Sequence, residues 1–190
     1  MQWRHEIPNQ FTDDDLLREY AWVVYCCGLS PQVIFKHWAR LGEAYWGWAP
    51  AQVAARRTDA RIGALDVLKA PRKIDAILNF ADDLAREPGL MARLAPLPTK
   101  QALAKLTTLP WVGPNNKYHL ARNLGWDTVV KQGPVARLAA YLETTPDELC
   151  DRIAAETGER ARTVDLVLWH WGHQVGDTQM REHTSFFKLM

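Results

Sequence analysis

The sequence predicts an all-α protein, and three observations carry that prediction. Helix start and stop residues recur along nearly the whole length, apolar residues fall at helical spacing, and only one short run has strand character. Thr12 followed by Asp13, Asp14 and Asp15 is an N-cap with an acidic first turn. It opens DLLREYAWVVYCC, which Gly28 ends. Ser30-Pro31 opens the next helix, with proline at its first position, through QVIFKHWARLGEAYW. Shorter helices follow around 50–57 and 59–69. In 72–86, RKIDAILNFADDLAR, the residues Ile74, Ile77, Leu78, Ala81 and Leu84 line one helical face. Thr99 caps KQALAKLTTL, and Thr145-Pro146-Asp147-Glu148 is a capping box for a helix over 146–156. The last long helix, 159–175, carries Val164, Leu166, Val167, Leu168 and Trp171. TVVK at 128–131 is too short to found a sheet.

The 190 residues suffice for one domain spanning 1–190 with a substantial core. A hydrophobic share of 47% and a charged share of 24% fit a soluble globular chain. No run approaches the length of a membrane span, and MQWRHEIPNQFTDDD has no apolar segment of the secretory kind. Cys26, Cys27 and Cys150 match no disulfide, zinc or iron–sulfur spacing, so reduced thiols in a cytoplasmic monomer are expected. Net charge is +1, but its distribution is uneven. Between Thr99 and Arg137, six cations (Lys100, Lys105, Lys117, Arg122, Lys131, Arg137) stand against Asp127 alone, giving +5, while Glu6, Asp13, Asp14, Asp15 and Glu19 make the start acidic. One basic face on a nearly neutral protein suits docking on a polyanion. Of the nine tryptophans, most are expected in the core, with a few free to stack on bases.

The basic region contains LPWVGPNNKYHLARNLG at 109–125, a tight turn between helices predicted over 99–108 and 114–124. Leu109 and Val112 pin the turn to the core, Pro110 stiffens it, and Gly113 lets a ligand approach the backbone. Pro114 then starts a helix whose free N–H groups attract phosphate without reading sequence. Asn115, Asn116 and Lys117 add donors.

This segment resembles the helix-hairpin-helix of the DNA glycosylase superfamily, whose turn runs apolar-Pro-Gly-apolar-Gly; Trp111 stands at the first glycine. The motif covers about 105–139, and helix order and size extend the likeness over 13–175. The resemblance implies a helix-hairpin-helix glycosylase-like helical bundle that binds double-stranded DNA and extrudes one base. It also implies that a residue of Gly28-Leu29-Ser30-Pro31-Gln32, Leu29 or Gln32, enters the duplex. A structural Na+ or K+ is implied at the carbonyls of Thr107, Leu109 and Val112, with no other cofactor.

Two features of the family are missing. The lysine of the lyase-active members would stand at Asn115, and Lys117 is rotated by about 200° from it on a helix. The catalytic aspartate would fall on Gln132 or Gly133 in DTVVKQGPVARLA. Three readings follow: a base-excision glycosylase with a displaced acid, Asp127 or Asp165; a non-catalytic reader of modified DNA; or an enzyme similar to a bacteriophage branch of the superfamily that hypermodifies thymine. That branch implies transfer of a free amino acid or amine onto pyrophosphorylated 5-hydroxymethyl-uracil in phage DNA, placing the protein in the host cytoplasm. Lys131 and the helix start at Gly133 would then take the pyrophosphate, and Asp165 or His119 would remove the proton of the amine. Transfer is the preferred reading.

Two further clusters weigh less. His170 and His173 share a helix face but lack a third metal ligand, and Cys26-Cys27 near the loop at 28–32 has no identifiable base. Trp126 is expected in the core. Trp111, at the hairpin tip, either touches a sugar or base or folds back.

Overall fold

The computed structural model describes residues 8–184, so Trp3 and Glu6 lie outside the described residues. Eleven α-helices are present there: α1 (Asp13–Cys26), α2 (Pro31–Ala44), α3 (Pro50–Ala55), α4 (Arg57–Val67), α5 (Pro71–Arg86), α6 (Leu90–Leu94), α7 (Thr99–Leu106), α8 (Asn116–Asn123), α9 (Pro134–Tyr141), α10 (Pro146–Thr157) and α11 (Ala161–Glu182). There is no strand among the described residues, and none of their helices is long and apolar enough to cross a membrane. The all-α prediction therefore holds. TVVK runs without a strand partner, and its Val129 and Val130 are buried.

Thr12, Ser30 and Thr145 act as the predicted caps, whereas Thr99 is the first residue of α7, whose N-cap position is Pro98, and does not cap it. Thr12 and Thr145 each form a two-way box, their hydroxyls accepting from the third backbone N–H while Asp15 and Glu148 accept from Thr12 N–H and Thr145 N–H. Several ends shift by a residue or two, and the larger departures from the sequence reading are two helix boundaries and one additional helix. Helix α8 begins at Asn116 rather than Pro114, although Lys117 N–H already bonds the Gly113 carbonyl at 3.2 Å. Helix α11 runs to Glu182 because Gly176, at φ 72° and ψ 178°, bends the chain and lets it resume. Helix α6 was not foreseen. Its cap is distant in sequence: the Asp13 carboxylate accepts from Gly89 N–H at 2.5 Å and Met91 N–H at 2.7 Å.

Two apolar clusters result. The larger gathers α1 to α8 around Leu16, Tyr20, Ile77 and Leu120; the smaller joins Val129 to α9, α10 and α11. Each fully buried Leu or Ile contributes roughly 1.5–3 kcal/mol. Trp22 packs against both clusters and begins an aromatic run through Trp38 to Trp48 and Tyr45. Of the tryptophans described, Trp48, Trp126 and Trp169 are buried, Trp22, Trp38 and Trp171 half-buried, and Trp46 and Trp111 exposed.

Polar groups stitch the seam. Arg122 of α8 donates to the Asp165 carboxylate of α11 at 2.6 Å, with both side chains almost wholly buried. Buried Arg162 of α11 donates from Nε to the Arg122 carbonyl at 3.1 Å. A buried pair of this kind is favoured only when both partners are present, so it fixes how the clusters meet.

Candidate functional site

The turn between α7 and α8 is held from three sides. Val112 is buried and Leu109 packs on the larger core, as the sequence predicts. The Tyr20 hydroxyl donates to the Pro110 carbonyl at 3.0 Å. Asn116 Nδ2 donates to the Trp111 carbonyl at 3.1 Å and to Cys27 Sγ at 3.0 Å. Trp111 has φ +67°, the left-handed conformation that glycine adopts most readily. A tryptophan thus holds, at this turn, a backbone conformation that costs glycine least. The indole is 41% exposed and lies over the Lys73 ammonium, 5.2 Å from the ring centre. Lys73 itself donates to the carbonyls of Val24, Tyr25 and Cys27 at the end of α1.

The predicted contact residues divide here. Asn115 is exposed and Lys117 half-buried, with open space around Gly113. Asn116 instead braces the turn through the bonds above. Of the carbonyls proposed for a cation, that of Leu109 already accepts from Val112 N–H at 3.1 Å. Among the described residues, no group of three or more His, Cys, Asp or Glu side chains could hold a metal, His170 and His173 included.

Behind the hairpin, a cleft of about 280 Å³ opens between the two clusters. Its aromatic walls are Trp22 and Trp169, its polar groups belong to Asn116, His119, Gln132 and His173, and Gly133 and Pro31 border it. The structure brings Gln132, Gly133, His119 and Asn116 together, and no carboxylate lines this cleft. Close packing puts Gly133 there: a Cβ on Gly172 of α11 would lie 2.4 Å from the Pro134 Cβ, so only glycine lets α9 begin so near α11. Gly133, at φ 77°, makes the turn into α9. An apolar groove of about 530 Å³ shares Trp22, Pro31, Trp169 and His173 with the cleft and extends past Phe35, which is 73% exposed.

Other candidates stand apart. Asp165 is fully buried behind Arg122 and outside the cleft wall; burial raises its pKa, opposed by the Arg122 guanidinium. Asp127 accepts from Arg162 N–H at 2.9 Å and so caps α11. Lys131 pairs with Asp147 and lies 5.4 Å from the Tyr118 ring centre. Leu29 packs against the larger core, whereas Gln32 is exposed, with Nε2 3.5 Å from His173 Nδ1 across the cleft mouth. Cys26 lines the cleft, but burial pushes its thiol up to about 12, which leaves it un-ionised.

His119, expected as a base, is held differently. Its Nδ1 lies 3.4 Å from Arg122 Nη2. Guanidinium offers only N–H groups, so Nδ1 must present its lone pair and Nε2 carries the proton. Burial first, then Arg122 and His173, push its pKa down to about 3. Sequence reasoning missed Arg122, Trp22 and Trp169 as parts of the site. The available signal was a charge inside an apolar helical run, Arg122 in YHLARNLGW and Asp165 in RTVDLVLWHW.

No family model, curated protein or solved structure matches the chain.

Proposed function

We propose that this chain binds double-stranded DNA through the hairpin at 107–117, receives one extruded base in the cleft, and transfers an amine or amino acid onto it. The substrate we assign is a 5-hydroxymethyl-uracil activated as its pyrophosphate. The observation that carries this reading is the composition of the cleft: two indole walls and neutral polar groups, with no carboxylate. Indoles suit a flat base taken from the stack, whose extrusion costs a few kcal/mol. A neutral wall tolerates a polyanionic substituent that an aspartate at Gln132 or Gly133 would repel.

The reaction requires little from the protein. The amine nitrogen forms a bond to the exocyclic methylene carbon, the bond from that carbon to oxygen breaks, and pyrophosphate leaves with the electron pair. The positive end of the α9 dipole at Gly133 favours that anion, although Pro134 at its first position offers no N–H. The proton of the amine passes to a neutral imidazole. His173 suits this step, since burial, then Arg137 and His170, lower its pKa and keep it unprotonated near neutral pH. Asp165 and His119, proposed for the step from sequence, are engaged with Arg122 instead.

The same absence of an acid favours a second reading, a reader that extrudes a modified base without chemistry. One experiment separates them. Duplex carrying the pyrophosphorylated base is incubated with the protein and candidate amino acids, digested to nucleosides and weighed. An added amino-acid mass is the expected result; tight binding with unchanged nucleosides supports the reader, and abasic sites overturn both. Independently, Asn115→Ala with Lys117→Ala should weaken binding to all duplex sequences alike and reduce the salt dependence by about one phosphate contact. Unchanged affinity removes the hairpin from the interface.

A further inference from the structure

We infer that His119 is a fixed hydrogen-bond donor in the cleft wall, held in one tautomer by the buried Arg122–Asp165 pair, and that it selects a base carrying a ring carbonyl over one carrying an amino group. The inference rests on the proposed function and deepens it, by naming the feature of the base that the cleft reads.

The chain of contacts runs inward from the cleft. His119 forms part of the wall beside Gln132 and Trp169. Its Nδ1 edge faces Arg122 Nη2 at 3.4 Å, so that nitrogen accepts. The guanidinium is itself immobilised: Nη1 donates to Asp165 Oδ2 at 2.6 Å, Nε and Nη2 lie 3.4 and 3.3 Å from Asn123 Oδ1, and the group sits 5.6 Å from the Trp169 ring centre. Arginine keeps its charge at any pH a protein survives, so it cannot turn round and accept from Nδ1–H. The remaining polar group of the imidazole is Nε2–H, a donor only. A donor with no alternative tautomer rewards a carbonyl oxygen and leaves an amino group facing another N–H. Sites that hydrogen-bond one partner reject the analogue lacking it because a buried polar group is left unpaired. Both pyrimidines carry a carbonyl at C2, so the choice is made with the C4 edge towards Nε2–H: a uracil, with a carbonyl there, is accepted, and a cytosine, with an amino group there, is discriminated against.

The test has a part that needs no DNA. In 15N-resolved NMR of the intact protein, His119 should show protonated Nε2 and unprotonated Nδ1 at neutral pH. An Nδ1–H tautomer or a doubly protonated ring overturns the inference. The second part measures binding to duplexes of one sequence with a central mismatched 5-hydroxymethyl-uracil or 5-hydroxymethyl-cytosine. Wild type should prefer the uracil by about tenfold. His119→Phe should erase the preference, and His119→Gln, which keeps a donor at similar reach, should restore part of it. Equal binding of both duplexes by wild type overturns the donor role while leaving the DNA-binding proposal intact. Failure to bind any duplex overturns both.

Discussion

The hairpin and the cleft are both built around the start of a helix, yet they are held together in different ways. At the hairpin, residues 109–117 are contiguous, and Trp111 and Asn116 share a hydrogen bond within one turn. At the cleft, Gly133 shares the lining with Trp22 of α1, His119 of α8 and Trp169 of α11, three helices far apart in the chain. The hairpin also rests on the larger apolar cluster, while the cleft depends on how two clusters meet. A local device survives changes elsewhere, whereas a seam is only as definite as the polar pairs and close contacts that fix it. The cleft is therefore where substitutions should act most strongly.

The largest effect should come from Arg122→Met, which leaves the Asp165 carboxylate buried with no cation. Its Oδ1 already lacks a hydrogen-bond partner, and only the Val130 backbone and the more distant Lys131 charge would remain to offset the loss. Breaking a buried pair from one side costs about 3–5 kcal/mol, to be read from urea unfolding. Adding Asp165→Leu should recover much of that loss. If Arg122→Met costs less than about 1 kcal/mol, water reaches the pair and the seam is not sealed by it. Next comes Gly172→Ala. The new methyl meets Pro134 and also lies 2.8 Å from Met180 Cε, so α9 must shift away from α11. Overpacking of this kind costs about 1–3 kcal/mol, and the shift should lower duplex affinity if the cleft receives a base. Unchanged stability would mean that the contact between α9 and α11 is loose.

The same contrast explains what could be seen in the sequence. Helices α1, α2, α5 and α10 announce themselves through Thr12, Ser30, the apolar stripe from Ile74 to Leu84 and Thr145, because caps and periodicity are local signals; α7 forms where the sequence places a helix, but Thr99 does not cap it. The hairpin was legible for the same reason. Helix α6 was not, since its cap is the Asp13 carboxylate from another helix. Nor was the role of His119, because a histidine in YHLARNLG carries no sign of which ring nitrogen a buried arginine will occupy. Gln132 and Gly133 line the cleft, but the indoles that share its wall come from positions 22 and 169, which no spacing rule links.

A smaller effect concerns acid. The pKa of His119 lies near 3 in the folded protein, against about 6.5 when unfolded, so the unfolded chain takes up the proton first. Its share of stability is complete above pH 6.5 and is lost as the pH falls towards 3. Glu19 and Asp165, raised mainly by burial, act in the opposite sense, since a carboxylate that protonates earlier in the folded state adds stability as the pH falls. Comparing wild type with His119→Gln isolates the histidine. The variant should lose less stability between pH 6 and 4, by up to about 1.4 kcal/mol per pH unit, measured from urea midpoints. Parallel curves would indicate that His119 titrates normally and that Arg122 does not hold it.

The smallest effect sharpens the hairpin side of the comparison. Trp111→Gly relieves a left-handed residue of roughly 1 kcal/mol of strain. It also gives up the Lys73 contact, worth about 0.5–1 kcal/mol, and increases the freedom of the unfolded chain by a similar amount. These contributions nearly cancel, so the glycine variant should melt within about 1 kcal/mol of wild type. Trp111→Val should be worse by about 1–3 kcal/mol, because a β-branched residue suffers most at positive φ. If both variants lose equally, the indole contact rather than the backbone conformation sets the turn. If only valine is damaging, the turn is a backbone device, and the tryptophan at its tip is free to serve whatever approaches Gly113.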